Sequence, residues 1–229
     1  MTSTKIEFAV QMTCESCVKT VRKALENVPG IQNFDINLTT GSVTVESTLP
    51  AQEILKTLQS TGKKAVVRGL GGTTAGVAIL DTGSDSIKGV VRFVQEAEDV
   101  CIIDGTVDGL NAGKHQLSVH ECGDTSQGCA SVGDFFNPKK SNGRIYGDLG
   151  FVKAEKDGRS AFRFDDSVIK LSDIIGRALV ISEATTGKRL ACGIIARSAG
   201  LFQNPKTICA CDGVTIWNEK VAPNPTSSL

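Results

Sequence analysis

Apolar side chains in the first 70 residues recur at two spacings. Ile6, Phe8 and Val10 alternate with polar positions over Lys5 to Gln11, the period of a half-buried strand. From Glu15 to Asn27 the spacing changes. Val18, Val21 and Leu25 recur every three or four residues, an amphipathic helix that Pro29-Gly30 stops. Alternation returns over Ile31 to Leu38 (Phe34, Ile36, Leu38). Thr39-Thr40-Gly41 then turns the chain into Val43 and Val45, which predicts a hairpin. Pro50 opens a second helix at its first position, with Ile54, Leu55 and Leu58 as its apolar stripe. Thr61-Gly62-Lys63 ends that helix, and Ala65-Val66-Val67 forms a last strand. The predicted order is β-α-β-β-α-β, with both helices on one face of an antiparallel sheet.

That order is a ferredoxin-like α+β unit, here residues 1–70. Gly69-Leu70-Gly71-Gly72-Thr73-Thr74-Ala75-Gly76 follows and reads as a flexible linker by composition, with 71–76 as its extent. The pattern then changes character. Val77 to Leu80, Lys88 to Gln95, Val100 to Val107, His115 to Glu121, Ser160 to Phe164, Ala178 to Ser182 and Leu190 to Ala196 are short β-type runs divided by Gly- and Asp-rich turns. An all-β Greek-key barrel or sandwich over 77–198 accounts for them. Beyond Ser198 the periodicity stops. Residues 199–229 read as a short irregular tail with three prolines, a lone Trp217 and the pair Cys209 and Cys211.

Composition narrows the function classes. The 229 residues carry 25 Lys plus Arg against 25 Asp plus Glu, so no basic footprint for nucleic acid is present. No run of about 18 apolar residues exists to span a membrane. The N-terminus leads straight into a strand without a signal-peptide core, which suggests a cytoplasmic protein. Eight cysteines are many for a reducing compartment.

Four of the eight lie in two close pairs. Met12-Thr13-Cys14-Glu15-Ser16-Cys17 places Cys14 in a loop and Cys17 in the first turn of a helix, whose N-terminus favours a thiolate. Thiolates select soft ions. Two of them leave tetrahedral zinc short of its four ligands but suit Cu(I), which accepts low coordination. A structural disulfide or a redox pair is the bland alternative. Cys209-Ala210-Cys211 is too tight for an easy disulfide. It reads as a strained, oxidising pair or as a second Cu(I) clamp. Cys101 and Cys122 read as ordinary fold residues.

The first segment resembles the heavy-metal-associated domain of copper chaperones and copper pumps, on its MxCxxC motif within β-α-β-β-α-β. The resemblance implies copper ligation by Cys14 and Cys17. It also makes Lys63 the cation near the metal loop that offsets an anionic bis-thiolate centre. From about Ala75 to Ala196 the chain resembles Cu,Zn superoxide dismutase. The residues that carry this include Gly113-Lys114-His115, Val119-His120-Glu121, Phe136-Asn137-Pro138, Gly147-Asp148-Leu149-Gly150 and Arg189-Leu190-Ala191-Cys192-Gly193. That resemblance implies a disulfide between Cys129 and Cys192 and puts Arg189 at the family's active-site arginine.

The departures change what the second resemblance implies. A dismutase builds its copper and zinc sites mainly from histidine, and this chain has two, His115 and His120. His120 and Asp148 keep ligand positions; Ser118, Phe135, Ile145 and Ser182 stand where the family has His. The expectation is a scaffold with neither copper nor zinc at the inherited site and no dismutase activity of its own, serving as a docking surface. Taken together, a metal-binding domain, a metal-free dismutase-like domain and a CxC tail resemble the family of copper chaperones that serve superoxide dismutase. That family implies Cu(I) as cargo and an apo Cu,Zn superoxide dismutase subunit as heterodimer partner. It implies a homodimer through the same surface as an option, and the tail as the element that transfers copper or a disulfide. The expected surface comprises the loop at Cys122-Gly123-Asp124, the turn Ile175-Gly176-Arg177 and the strand Gly193 to Ala196, with Ile195 as the site for a disruptive charge if it faces outward. The alternative is a dismutase enzyme with a fused copper-binding domain.

Overall fold

A computed structural model describes residues 1–72, 74–138 and 143–204. The first unit is β1 (Thr4–Val10), α1 (Glu15–Leu25), β2 (Ile31–Asn37), β3 (Ser42–Ser47), α2 (Ala51–Ser60) and β4 (Ala65–Leu70). Its antiparallel sheet has the order β2-β3-β1-β4. Ile6, Phe8 and Val10 of β1 and Val43 and Val45 of β3 meet Val21 and Leu25 of α1 and Ile54, Leu55 and Leu58 of α2 in one core. This is the expected α+β ferredoxin-like arrangement, and it follows from the alternation between period 2 and period 3.6.

The second unit runs β5 (Thr74–Leu80), β6 (Lys88–Ala97), β7 (Val100–Asp108), β8 (Gly113–His120), β9 (Ser126–Cys129), β10 (Asp148–Ala154), β11 (Ser160–Asp166), the short α3 (Leu171–Ile174), β12 (Ala178–Glu183) and β13 (Arg189–Arg197). Eight of these strands form a near-barrel antiparallel sheet of order β10-β8-β12-β13-β5-β6-β7-β11. Its interior is filled by Leu80, Phe93, Ile103, Leu117, Ile169, Ile181 and Ile195, among others. Strand β10 escaped the sequence reading because Gly147 precedes it and Gly150 interrupts its alternation, which made the stretch look like a turn. Gly150 is itself in a positive-φ conformation, at 83°. Strand β9 is only four residues long.

Between the units, β4 continues to Leu70 and β5 starts at Thr74, so part of the stretch expected as linker lies in a strand. Gly71 donates its N–H to the Lys5 carbonyl at 2.6 Å, tying this crossing to β1. The outer face of β6 and β7 packs against the first unit. Val94 and Ile102 project from the barrel and are fully buried in the first unit's core. Beside them Asp104, 3% exposed, accepts the backbone N–H of Ala51 at 2.8 Å. Helix α2 has Pro50 at its N-cap and no cap bond from its own segment. The barrel therefore supplies the acceptor that the free N–H groups of a helix start require. Arg163, nearly buried on β11, donates to the Thr2 carbonyl at 3.1 Å and lies in the field of Asp104.

Candidate metal-transfer site

Strand β1 delivers the chain into the loop that holds Cys14. That residue is the N-cap of α1, in extended backbone at φ −160°, and its carbonyl accepts the N–H of Cys17 at 2.9 Å. Cys17 thus falls in the first turn, as the motif predicts. The two sulfurs are 3.7 Å apart. Metal–thiolate bonds of about 2.3 Å each can bridge up to about 4.6 Å, so one ion fits between them. Cys14 is exposed and Cys17 buried, so one sulfur is open to solvent and the other is held in the fold. Met12 packs against the first unit's core beneath the loop.

The environment favours the anionic ligand. The Cys17 thiol is lowered to about 6, mainly by the backbone N–H of Thr13, then by the Thr13 hydroxyl and by the Lys63 ammonium, with Cys14 adding a little. Partial burial opposes them and is outweighed. The Thr13 hydroxyl lies 3.7 Å from the Cys17 sulfur. Lys63 comes from the turn after α2, where Gly62 at φ 76° reverses the chain towards β4. The structure therefore brings Cys14, Cys17 and Lys63 together. Thr13 was missed by the sequence reading, although its place between Met12 and Cys14 was a signal.

In the barrel the inherited ligand positions are otherwise engaged. His120 Nδ1 is 2.9 Å from the Gly133 carbonyl, and its Nε2 is 3.1 Å from the Ser118 hydroxyl. Burial, chiefly, pushes its pKa down. Phe135 lies against the ring, with centroids 5.0 Å apart. Asp148 turns to Gln116 and to the N–H of Gly150, at 3.3 and 3.0 Å. His115 Nε2 is 2.8 Å from the Asn111 carbonyl. Among the described residues no group of three or more His, Cys, Asp or Glu is placed to hold a metal ion. Arg189 is occupied as well, donating to the carbonyls of Cys129 and Gly133 at 2.7 and 2.6 Å. Cys129 and Cys192 are joined by a disulfide with Cα atoms 5.7 Å apart, which ties the end of β9 to β13. Cys101 is buried and its thiol is pushed up to about 12, chiefly by that burial. Cys209 and Cys211 lie outside the described residues.

One barrel face is apolar and open. Ile79 on β5 and Ile194 on β13 are 56% and 43% exposed, and a shallow depression runs beside them past Val77, Thr125, Gly193 and Ala196. Ile195 is fully buried in the barrel core, so the expectation that it could face outward is corrected. The alternation of the strand turns Ile194 outward instead. At one end of this face, Arg177 donates to the Glu121 carbonyl at 2.6 Å, which fixes the loop carrying exposed Cys122. No helix among the described residues is long and apolar enough to cross a membrane.

Comparison with known proteins divides the chain in the same way. Residues 7–64 match a family described as heavy-metal-associated domain, and residues 87–195 match one described as copper/zinc superoxide dismutase. The chain is 49% identical to a mouse protein named copper chaperone for superoxide dismutase, over 95% of this chain and 89% of the relative. The human protein of the same name is 47% identical over the same shares. A budding-yeast protein named superoxide dismutase 1 copper chaperone is 33% identical, over 93% of this chain and 92% of the relative. Among solved structures, one titled as a crystal structure analysis of the clock protein EA4 is similar with a TM-score of 0.50 at 32% identity, covering 54% of this chain and 94% of that one. A paired-thiolate loop joined to a dismutase-like barrel and matched by relatives over nearly its whole length places this chain in the family of copper chaperones for superoxide dismutase.

Proposed function

We propose that the chain is a metallochaperone that carries Cu(I) on Cys14 and Cys17 and delivers it to an immature Cu,Zn superoxide dismutase subunit. The observation that carries this reading is the cysteine loop. It has one exposed and one buried sulfur at a helix start, with Thr13 and Lys63 holding Cys17 ionised near neutral pH. A two-thiolate site binds a soft ion with ligands to spare. An incoming cysteine can add to the ion before either original ligand leaves, so copper passes by ligand exchange without being set free.

The barrel is the docking element. Its apolar β5–β13 face, around Ile79 and Ile194, suits isologous pairing, either with a dismutase subunit or with a second copy of this chain. The barrel does no redox chemistry itself. Ser118, Phe135, Ile145 and Ser182 occupy positions where a dismutase carries His, and both nitrogens of His120 are taken. The alternative reading, a dismutase with a fused copper-binding domain, draws no support from that arrangement. Neither zinc nor copper is assigned to the barrel, and the working compartment is the cytoplasm.

The tail carries the second task. When Cys209 and Cys211 form a disulfide, a target thiolate attacks one of the two sulfurs and releases the other as a thiolate. A second target cysteine then attacks the mixed disulfide. The target ends with one disulfide and the tail with two thiols, so electrons balance and the oxidised tail is the oxidant. The reduced pair, with its two thiolates, is alternatively a relay for copper.

The test of the cargo site is a competition titration of the full chain with Cu(I) against a chromophoric Cu(I) chelator. One equivalent should be held by Cys14 and Cys17. Their double replacement by Ser should abolish it while the Cys209→Ser plus Cys211→Ser chain retains it. Undiminished tight binding after loss of Cys14 and Cys17 would overturn the assignment.

A further inference from the structure

After β13 the chain returns to the first unit. Ser198 still belongs to the barrel, donating its N–H to the Ala75 carbonyl at 2.9 Å. Two residues later Gly200 forms a parallel bridge with Leu70 at the end of β4. The segment then lies on the sheet face that the helices leave uncovered. There the Phe202 N–H donates to Glu7 Oε2 at 2.8 Å.

The seat is built for this contact. Glu7 is a carboxylate in the middle of β1 and only 2% exposed. It also accepts from the Ser42 hydroxyl at 3.0 Å and pairs with Arg68 at 3.5 Å. Opposite Glu7 in the β1–β4 register stands Gly69. A Cβ at position 69 would come within 2.6 Å of the Gly200 carbonyl oxygen, so only glycine lets the segment lie down. A Cβ at Gly71 would meet the Leu201 side chain at 3.3 Å. Phe202 itself sits at φ 61°, the left-handed region that a bulky residue rarely takes without being held. Its ring is 69% exposed and borders a shallow groove with Lys5, Phe34, Thr44 and Glu46.

We propose that the open face of the first sheet is a docking surface for the chain's own segment 199–203, with Glu7 and Gly69 as its positioning residues, so that the tail starts from the copper-binding unit rather than from the barrel. The arithmetic of reach gives this consequence. An extended chain spans about 3.5 Å per residue. Seated, the tail is fixed at Asn204 and Cys209 stays within about 18 Å of it. Released back to Ser198, the same cysteine sweeps about 39 Å. Seating thus halves the reach available to the tail cysteines. That consequence rests on the role proposed above for the tail; the seating itself does not.

The experiment uses the full chain without copper and without a dismutase, so its failure is separate from failure of the cargo assignment. Amide hydrogen exchange is followed residue by residue by NMR. The Phe202 amide should exchange at least tenfold more slowly than in a free peptide of residues 198–206. Gly69→Ala and Glu7→Ala should each remove that protection, while the amides of Ile6 and Val45 stay protected. Gly69→Ala is the decisive variant, because it evicts the strap without stranding Arg68. A Phe202 amide that exchanges at the free-peptide rate in the unmodified chain, or that keeps its protection within twofold in Gly69→Ala, would overturn the proposal.

Discussion

Asp104→Ala tests how the barrel supports the copper-binding unit. The carboxylate reaches out of β7 to the first N–H of α2 and lies in the field of Arg92 and Arg163. Burial pushes its carboxyl up, against the pull of the Ala51 N–H and of the two arginines. Burial likewise pulls Arg163 down. Removing a helix cap costs about 1 kcal/mol. Leaving the buried Ala51 N–H without an acceptor costs about 1–3 kcal/mol. Arg163 keeps its bond to the Thr2 carbonyl and stays in the field of Asp165 and Glu96, so its charge is not stranded. The expected loss is therefore about 1–3 kcal/mol, set by the lost cap and the buried N–H left without an acceptor. A loss of 3 kcal/mol is roughly a 150-fold shift in the folding equilibrium. Urea unfolding followed by circular dichroism measures the total, and amide exchange across 51–60 localises it. The exposed pair Lys153–Glu155 is the control, since its loss should cost under about 1 kcal/mol. An Asp104→Ala chain that loses under about 1 kcal/mol, with α2 protection unchanged, would refute the reasoning.

Further outcomes follow from the same geometry. Residues 1–70 alone lack Asp104, Val94 and Ile102, so the fragment should retain the cysteine motif but unfold at lower urea than the intact chain. In the metal-free chain, alkylation of Cys17 should rise tenfold per pH unit up to a midpoint near 6 and then level off. Lys63→Met should move that midpoint upward; an unchanged midpoint would remove Lys63 from the site. Because the folded-state value is depressed, the stability this thiolate contributes is present above the ordinary thiol range and fades as pH falls through about 6. Ile194→Glu should weaken pairing with a dismutase subunit in sedimentation velocity and leave thermal stability close to unchanged, whereas Ile195→Glu should unfold the barrel. Native alkylation of the metal-free chain should label Cys14, Cys17 and Cys122 and spare Cys101 until the fold opens.

Local rules made much of this molecule legible. The first unit was readable because each of its elements holds one periodicity between strong stop signals such as Pro29-Gly30 and Thr61-Gly62. The metal loop was readable because three residues suffice to bring Cys14 and Cys17 to one helix start. Strand β10 was hidden by its glycines. The outward turn of Ile194 over Ile195 could not be settled from a run as apolar as Leu190 to Ala196, where either phase of the alternation fits. Asp104 and Glu7 were invisible for a different reason. Each is a carboxylate whose partner lies far along the chain, Ala51 in one case and Phe202 in the other. Only these tertiary contacts say why a charge stands in the middle of an apolar strand.

The central claim is that copper on Cys14 and Cys17 becomes copper in a dismutase. Copper-loaded chain should be mixed with metal-free, disulfide-reduced Cu,Zn superoxide dismutase in the presence of excess Cu(I) chelator, and superoxide consumption measured over time. The account predicts that activity appears with the unmodified chain, and that the Cys14→Ser plus Cys17→Ser chain, given the same copper, fails to produce it. Equal activation by both chains under chelator would contradict it.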